Sequence, residues 1–106
     1  MKPIAVITTV GSRAEAQAMA RALVERQLAA CAQIDAIESF YTWDGAIQNE
    51  PEFRITVKTT DARYAAVETV IRELHTYALP AIYAVALSPL YAPYAQWIRD
   101  NSNGQA

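Results

Sequence analysis

The spacing of apolar residues along the chain predicts strands and helices in alternation. Residues 4–10 are a short apolar run, typical of a buried strand, and Gly11 ends it. From there to about Leu28, apolar residues recur every three or four positions, as they do on one face of a helix. Ser12 at the start of this segment, with Glu15 three residues later, predicts a capping box.

The next apolar pattern predicts one long β-hairpin. Its rising arm is residues 31–43, about twice the usual strand length, and its return arm is residues 53–59. Asp44-Gly45 supplies the turn between the arms, because glycine tolerates a positive φ. Pro51 is expected to end strand pairing just before the return arm.

The rising arm carries apolar residues on both of its faces. Ile34 and Phe40 lie on one face, and Ile37, Tyr41 and Trp43 on the other, so both faces should be covered over part of the arm. Hydrophobic residues make up 53% of the chain and charged residues only 19%. Because a chain of this size buries a limited share of its own surface, the apolar excess predicts a homo-oligomer. A monomer with a dense core is the alternative.

The second half of the chain adds a helix, a strand and a last helix. The second helix starts at residue 60 or 61 and ends near His75, the strand is residues 81–87, and the last helix is residues 93–99. The resulting order predicts an α+β fold, the ferredoxin-like β-α-β-β-α-β sandwich with a C-terminal helix and a long β2-β3 hairpin. Residues 1–106 form a single domain, in which residues 101–106 are expected to be a flexible tail.

Charge and cysteine content restrict the environment and the partners. The net charge is −2 and the chain has no cluster of Lys and Arg, which argues against nucleic acid as a partner. No apolar run reaches the length of a membrane-spanning helix, so we expect no membrane partner. One cysteine cannot form an intramolecular disulfide, which fits a reducing compartment and predicts a cytoplasmic location.

Sequence signatures of enzymes are missing. Three glycines form neither a phosphate-binding loop nor a dinucleotide fingerprint, and the single histidine has no evident nucleophile partner. The sequence therefore predicts a non-enzymatic protein that requires no cofactor. One histidine and one cysteine cannot complete a zinc site within one subunit without carboxylates, although several subunits can pool ligands.

Cys31, Lys58, His75 and Tyr77 are the side chains best suited to chemistry, and each has a structural interpretation beside the functional one. Cys31 is a small buried hydrophobe, a soft metal ligand or a redox thiol. His75 stabilises a helix C-terminus or, with Tyr77, binds a ligand in a subunit cleft. Lys58 is a solvated cation or an anion-binding one.

Acidic and aromatic residues near the hairpin leave the same kind of choice. Glu50 and Glu52 flank Pro51 and either solvate the surface, pair with Lys58 or Arg54, or bind a hard cation weakly. The large amphipathic aromatics favour interface anchoring over ligand stacking. They are Tyr41, Trp43, Tyr94 and Trp97.

Several short segments together resemble the CutA divalent-cation-tolerance family. They are LAACA (28–32), SFYTWDG (39–45), VKTT (57–60), the H-x-Y-x-x-P pattern at 75–80, and Tyr-x-x-Trp at 94–97. The family is similar in fold to the PII signalling proteins, so the resemblance implies a homotrimer with clefts between subunits. It also implies a role in tolerance of copper and other divalent cations.

The chain departs from the family pattern where copper ligands have been proposed. Thr76 replaces a proline, Ala81 replaces a carboxylate that follows the later proline, and Thr8 stands where some members place a cysteine. Of the family's proposed ligands only the His75 region remains, which lowers the expectation of copper binding without changing the family resemblance.

Three functional hypotheses follow. The leading one is a non-enzymatic trimer of the divalent-cation response that binds copper or another divalent cation weakly, with His75 and, as a weaker candidate, Cys31 as metal ligands. Its intersubunit cleft is lined by Tyr41, Trp43, Lys58, His75 and Tyr77. The alternative is a PII-like sensor of a small anionic ligand held by Lys58 and His75. The third is a purely structural assembly module.

Overall fold

The computed structural model describes residues 1–104 and confirms the predicted ferredoxin-like α+β fold. The elements in chain order are β1 (Pro3–Val10), α1 (Arg13–Glu25), β2 (Cys31–Trp43), β3 (Ala46–Thr60), a 3-10 turn (Asp61–Arg63), α2 (Tyr64–Leu74), β4 (Ile82–Ala86) and α3 (Ala92–Asp100). The four strands form one sheet in the order β2-β3-β1-β4, and every neighbouring pair is antiparallel.

The register of the sheet divides its residues between two faces. Val6 in β1 lies opposite Val57 in β3 and Ala84 in β4, so these three side chains share a face. This helix-facing side packs against α1 and α2. Fully buried residues from the helices, such as Leu23 and Ile71, join the strand residues in one continuous core. The opposite side is called the outer face below.

Helix α1 begins as predicted and ends earlier than predicted. The Ser12 hydroxyl oxygen accepts a hydrogen bond from the backbone N–H of Glu15 at 3.1 Å, as expected of an N-cap. The helix stops at Glu25 because Gln27 adopts a positive φ of 58°. The N–H of Leu28 then bonds to the carbonyl of Leu23, which closes a Schellman motif. The prediction that the helix continues to Leu28 was wrong.

The hairpin is longer than predicted, because its return strand begins at Ala46. Pro51 does not end the pairing; it lies inside β3, opposite Glu38. Strand β1 stops at Val10, opposite Phe53, so β3 has a neighbour on only one side at Pro51. A proline without an N–H donor is tolerated at such a free edge, which is why the prediction for Pro51 was wrong.

The predicted turn at the tip of the hairpin is confirmed. Asp44 and Gly45 both have positive φ, 52° and 76°, and they connect Trp43 directly to its partner Ala46. Two consecutive positive φ values define the type I′ geometry, whose twist matches that of the flanking strands.

The second helix begins with a 3-10 turn rather than with a side-chain cap. The sequence had suggested a side-chain cap at Thr60 or Asp61, but neither side chain caps α2. The Asp61 carboxylate instead accepts a hydrogen bond from the backbone N–H of Lys2 at 3.0 Å. The start of α2 is therefore tied to the start of β1.

Helix α3 lies against the outer face at the end of the sheet near Lys58, since Tyr94 contacts that lysine. Beyond α3, where the sequence predicted a flexible tail, residues 102–104 contact the rest of the chain. Ser102 is buried, and Gly104 donates a backbone hydrogen bond to Gln27 and accepts one from Arg63. Residues 105 and 106, the end of the predicted tail, lie outside the described residues. None of the helices in residues 1–104 has the length and apolar character needed to cross a membrane.

Candidate functional site

The outer face carries a groove of about 700 Å³ between the hairpin and residues 77–83. Strands β2 and β3 contribute Tyr41, Trp43, Glu50 and Glu52, since odd positions of β2 and even positions of β3 point to this side. The segment before β4 contributes Tyr77 from the opposite wall. The groove is therefore formed where a long hairpin passes a short connecting segment.

A buried carboxylate lies in this groove. Glu52 is only 8% exposed. Its Oε2 accepts a hydrogen bond from the Tyr77 hydroxyl at 2.8 Å. Burial, followed by this bond to Glu52, raises the pKa of the Tyr77 phenol well above its usual range. Within residues 1–104, Glu52 takes part in no ion pair.

His75 lies beside the groove with both ring nitrogens occupied. Nε2 is 2.8 Å from the carbonyl oxygen of Thr9, and Nδ1 accepts the backbone N–H of Tyr77 at 3.1 Å. The first contact requires a proton on Nε2, so these bonds select the neutral tautomer protonated at Nε2. A metal can reach either nitrogen only by displacing one of these hydrogen bonds.

The single chain brings together part of the predicted cleft. Tyr41, Trp43 and Tyr77 line the groove, and the His75 ring is 4.8 Å from the Tyr77 ring. Lys58 lies about 20 Å further along β3 than the groove carboxylate, on the same face. Its Nζ is 5.4 Å from the centre of the Tyr94 ring.

The two predicted metal ligands are separated in one chain. Cys31 is a free cysteine opposite Lys58, whereas His75 contacts Thr9, which is paired with Arg54. Those two positions are four residues apart on β3, about 13 Å along the strand. Residues 1–104 also hold no group of three or more Cys, His, Asp or Glu side chains arranged to bind a metal ion. A complete metal site would need ligands from another copy of the chain.

Sequence reasoning placed Glu52 among acids of uncertain role and did not identify it as the buried centre of the groove. Its suggested partner Arg54 bonds instead to Asp35 across the strands, at 2.8 Å and 3.3 Å. Extending the return strand through Pro51 would have placed Glu52 opposite Ile37, among the aromatic residues of the outer face. Tyr83, which also lines the groove, had no signal beyond its place in an apolar strand.

Large apolar side chains on the hairpin and on the outer face remain exposed in the single chain. Ile47 at the tip is 80% exposed, and Phe40 on the neighbouring strand is 69% exposed. Trp43, Tyr83 and Val85 on the outer face are each about half exposed. A surface with this many exposed large apolar groups is typical of an interaction site.

The chain matches known proteins over almost its whole length. The family model described as CutA1 divalent ion tolerance protein matches residues 4–101. The divalent-cation tolerance protein CutA of Thermus thermophilus is 35% identical over 98 residues, which cover 92% of this chain and 95% of the relative. The protein of the same name from Archaeoglobus fulgidus is 34% identical over 93 residues, covering 88% and 91%.

Solved structures agree with the sequence matches. The CutA structure from Archaeoglobus fulgidus, described as a periplasmic divalent cation tolerance protein, has a TM-score of 0.92 at 32% identity and covers 95% of this chain and 99% of its own. CutA1 from a psychrotrophic Shewanella has a TM-score of 0.92 at 36% identity, with 97% of both chains covered. None of these names describes an enzyme. The chain belongs to the CutA family of divalent-cation tolerance proteins.

Proposed function

We propose that this CutA-family chain is a non-enzymatic, cytoplasmic homotrimer of the divalent-cation response, which binds copper or another divalent cation weakly in clefts between subunits. The observation that carries the proposal is the Glu52 carboxylate, which is 8% exposed and lacks a cationic partner among residues 1–104. A buried carboxylate is stabilised by a nearby cation. The cytoplasmic location rests on the single cysteine alone.

The shape of the chain supports assembly. Its Cα radius of gyration is 14.1 Å, against about 13 Å for a compact domain of this length. The excess comes from the hairpin, whose strands contain 13 and 15 residues. The exposed tip residues Phe40, Trp43 and Ile47 would be covered if the hairpin lay on neighbouring copies. The family resemblance favours three copies.

The available ligands support weak metal binding rather than a tight site. Glu52 already accepts the Tyr77 hydroxyl, and both nitrogens of His75 have partners. Metal binding would therefore replace existing hydrogen bonds, and it would draw further ligands from a second subunit. Because imidazole binds metal only when unprotonated, affinity through His75 should fall at acidic pH.

Native mass spectrometry before and after addition of copper tests the trimer and the metal together. We expect a trimer that gains copper mass, and we expect both Glu52→Gln and His75→Ala to reduce that gain. Glu38→Gln is the matched control, because Glu38 lies on the same hairpin but bonds to Asn49 outside the groove. A monomer would disprove the assembly. A trimer whose copper uptake is absent, or unchanged in both variants, would disprove copper binding at this site, and the same result with other divalent cations would disprove the metal site.

A PII-like sensor of a small anion is the second candidate, and one observation favours it. Lys58, Tyr94 and Trp97 form a cationic and aromatic platform at the other end of the outer face. The Lys58 ammonium lies over the Tyr94 ring, which stacks on Trp97 at 5.6 Å. Quenching of Trp97 fluorescence by a carboxylate or nucleotide, lost in Lys58→Gln, would support this function. An unchanged emission across a metabolite panel would exclude it.

A further inference from the structure

The charges that line the groove do not balance. Glu50 and Glu52 contribute two carboxylates on one wall. Of residues 1–104, Arg54 is the only cationic side chain that lines the groove, and both carboxylate oxygens of Asp35 accept hydrogen bonds from it. Among residues 1–104, the groove therefore has two carboxylates whose charge no cation of the chain neutralises.

Glu52 makes this imbalance energetically important. More than nine-tenths of the residue is removed from solvent, and its observed partner is one neutral phenol, that of Tyr77. Burying a charge is costly unless it is paired, and one hydrogen bond to a neutral group offsets only part of that cost. The side chain is thus positioned for a cation that approaches from the open side of the groove.

The walls favour an organic cation over a bare metal ion. Tyr41, Trp43 and Tyr83 line the groove and are each between 39% and 51% exposed. Aromatic faces attract ammonium groups and pack against alkyl chains. Burial, and then the charges of Glu50 and Glu52, raise the pKa of the Tyr41 phenol, which agrees with a negative potential at this wall.

The spacing of the two carboxylates suggests more than one ammonium group. Glu50 and Glu52 are two residues apart on the same face of β3, so they are separated by about 7 Å along the strand. This is the separation of their Cα atoms, and at this spacing the two carboxylates can accept two cationic groups side by side. Two ammonium groups joined by a short alkyl chain can bind one carboxylate each.

We propose that this groove binds an aliphatic diammonium, with one ammonium at Glu52, the other at Glu50, and the alkyl spacer against Tyr41 and Trp43. The proposal rests on the proposed function only in placing a cation at Glu52. It differs in the class of the cation, and the two can therefore fail separately.

Trp43 is a reporter inside the groove. Trp97 lies on α3, outside it, so a Trp97→Phe background leaves Trp43 as the sole tryptophan. Putrescine is the probe, and its diol analogue, with hydroxyls in place of both ammonium groups, is the neutral control. We expect saturable changes in Trp43 emission with putrescine, little response to the diol, and weaker binding at high ionic strength.

Three variants, each of which replaces one glutamate by the uncharged glutamine, test which carboxylate binds putrescine. Glu52→Gln keeps an acceptor for the Tyr77 hydroxyl and should weaken putrescine binding about tenfold or more, as expected for loss of a charged hydrogen bond. Glu50→Gln should weaken it less, because Glu50 is exposed. Glu38→Gln makes the same change of net charge outside the groove and should leave affinity unchanged.

The outcomes separate this proposal from the proposed function. Putrescine binding that is lost in Glu52→Gln, in a trimer that takes up neither copper nor another divalent cation, would support the diammonium and disprove the metal. Equal responses to putrescine and the diol would overturn the diammonium proposal, and so would equal losses in Glu52→Gln and Glu38→Gln. Copper uptake with no putrescine response would overturn it too, while leaving the proposed function intact.

Discussion

The two faces of the sheet are built from the same strands and reach opposite states. On the helix-facing side, Val6, Ile55 and Val57 are fully buried beneath α1 and α2. On the outer face, Arg54, which precedes Ile55 in β3, is exposed. Tyr83 and Val85 on β4 are about half exposed. The centre of the helix-facing side is buried within the chain, whereas most of the outer face is open.

The difference shows what a small chain can and cannot cover. Two helices of 13 and 11 residues bury the central part of one side of the sheet. On the outer face α3 has only nine residues and covers only one end. The remaining outer surface and the hairpin keep large apolar groups that a single copy leaves exposed, as is typical of interaction surfaces.

Truncation of matched isoleucines gives the largest expected contrast. Ile55→Ala, in the closed core, should lower the free energy of unfolding by about 2–5 kcal/mol at every protein concentration. Ile47→Ala, at the 80% exposed hairpin tip, should act only through assembly, so its cost should shrink on dilution. Urea unfolding at several concentrations measures both. If both variants lost the same free energy of unfolding at every protein concentration, the division into closed and open regions would be wrong.

Removing the Tyr77 hydroxyl tests its part-buried hydrogen bond to Glu52 on the open face. Tyr77→Phe should lower the free energy of unfolding by about 1.5–3 kcal/mol, since the lost hydrogen bond is made to a carboxylate. Chemical denaturation of both proteins at neutral pH measures the loss. A stability equal to that of the wild type would mean that solvent or an assembly partner satisfies Glu52 equally well.

The same pair predicts a dependence on alkaline pH. Because folding raises the pKa of Tyr77, its protonated phenol stabilises the fold below its ordinary pKa of 10.0, and this contribution is lost as pH rises through the folded value. The stability difference between wild type and Tyr77→Phe should therefore narrow above pH 10.0. A difference that stays constant over this range would contradict the assignment.

Two buried threonines on the closed face form a matched pair. The Thr8 hydroxyl has no hydrogen-bond partner within the described part of the chain, whereas Thr59 donates to the carbonyl of Leu28 at 2.6 Å. Thr8→Val should raise the free energy of unfolding by about 1 kcal/mol, and Thr59→Val should lower it by about the same amount. Thermal unfolding of the two variants checks the opposite signs. Stabilisation by both, or by neither, would show that these hydroxyls are not distinguished by the core.

The smallest effect is expected at the exposed cross-strand ion pair. Asp35→Asn removes the partner of Arg54 on the outer face, where both side chains are about half exposed. Such pairs contribute about 0.2–1 kcal/mol, and salt screens them. We expect a small loss of stability in low salt that disappears in high salt. A loss above that range would indicate that the pair is buried in an assembly.

The candidate site was only partly predictable, for reasons that individual residues show. Tyr41 and Trp43 were identified as large amphipathic aromatics and Tyr77 as the neighbour of His75, and all three line the groove. Glu52 was not recognised as central, because Pro51 suggested the end of a strand. A free sheet edge, where proline is tolerated, can be recognised only once the neighbouring strand is known to stop at Val10.

The sequence by itself determined the order of elements, the hairpin turn and the face of each strand residue. These follow from local rules: the positive φ of Asp44 and Gly45, the cap at Ser12, and the alternation of side chains along a strand. Tertiary structure alone decided where β3 begins, which carboxylate is buried, and that Lys58 lies far from Tyr77. Those features depend on which strands become neighbours, and pairing between distant segments has no local signature in the chain.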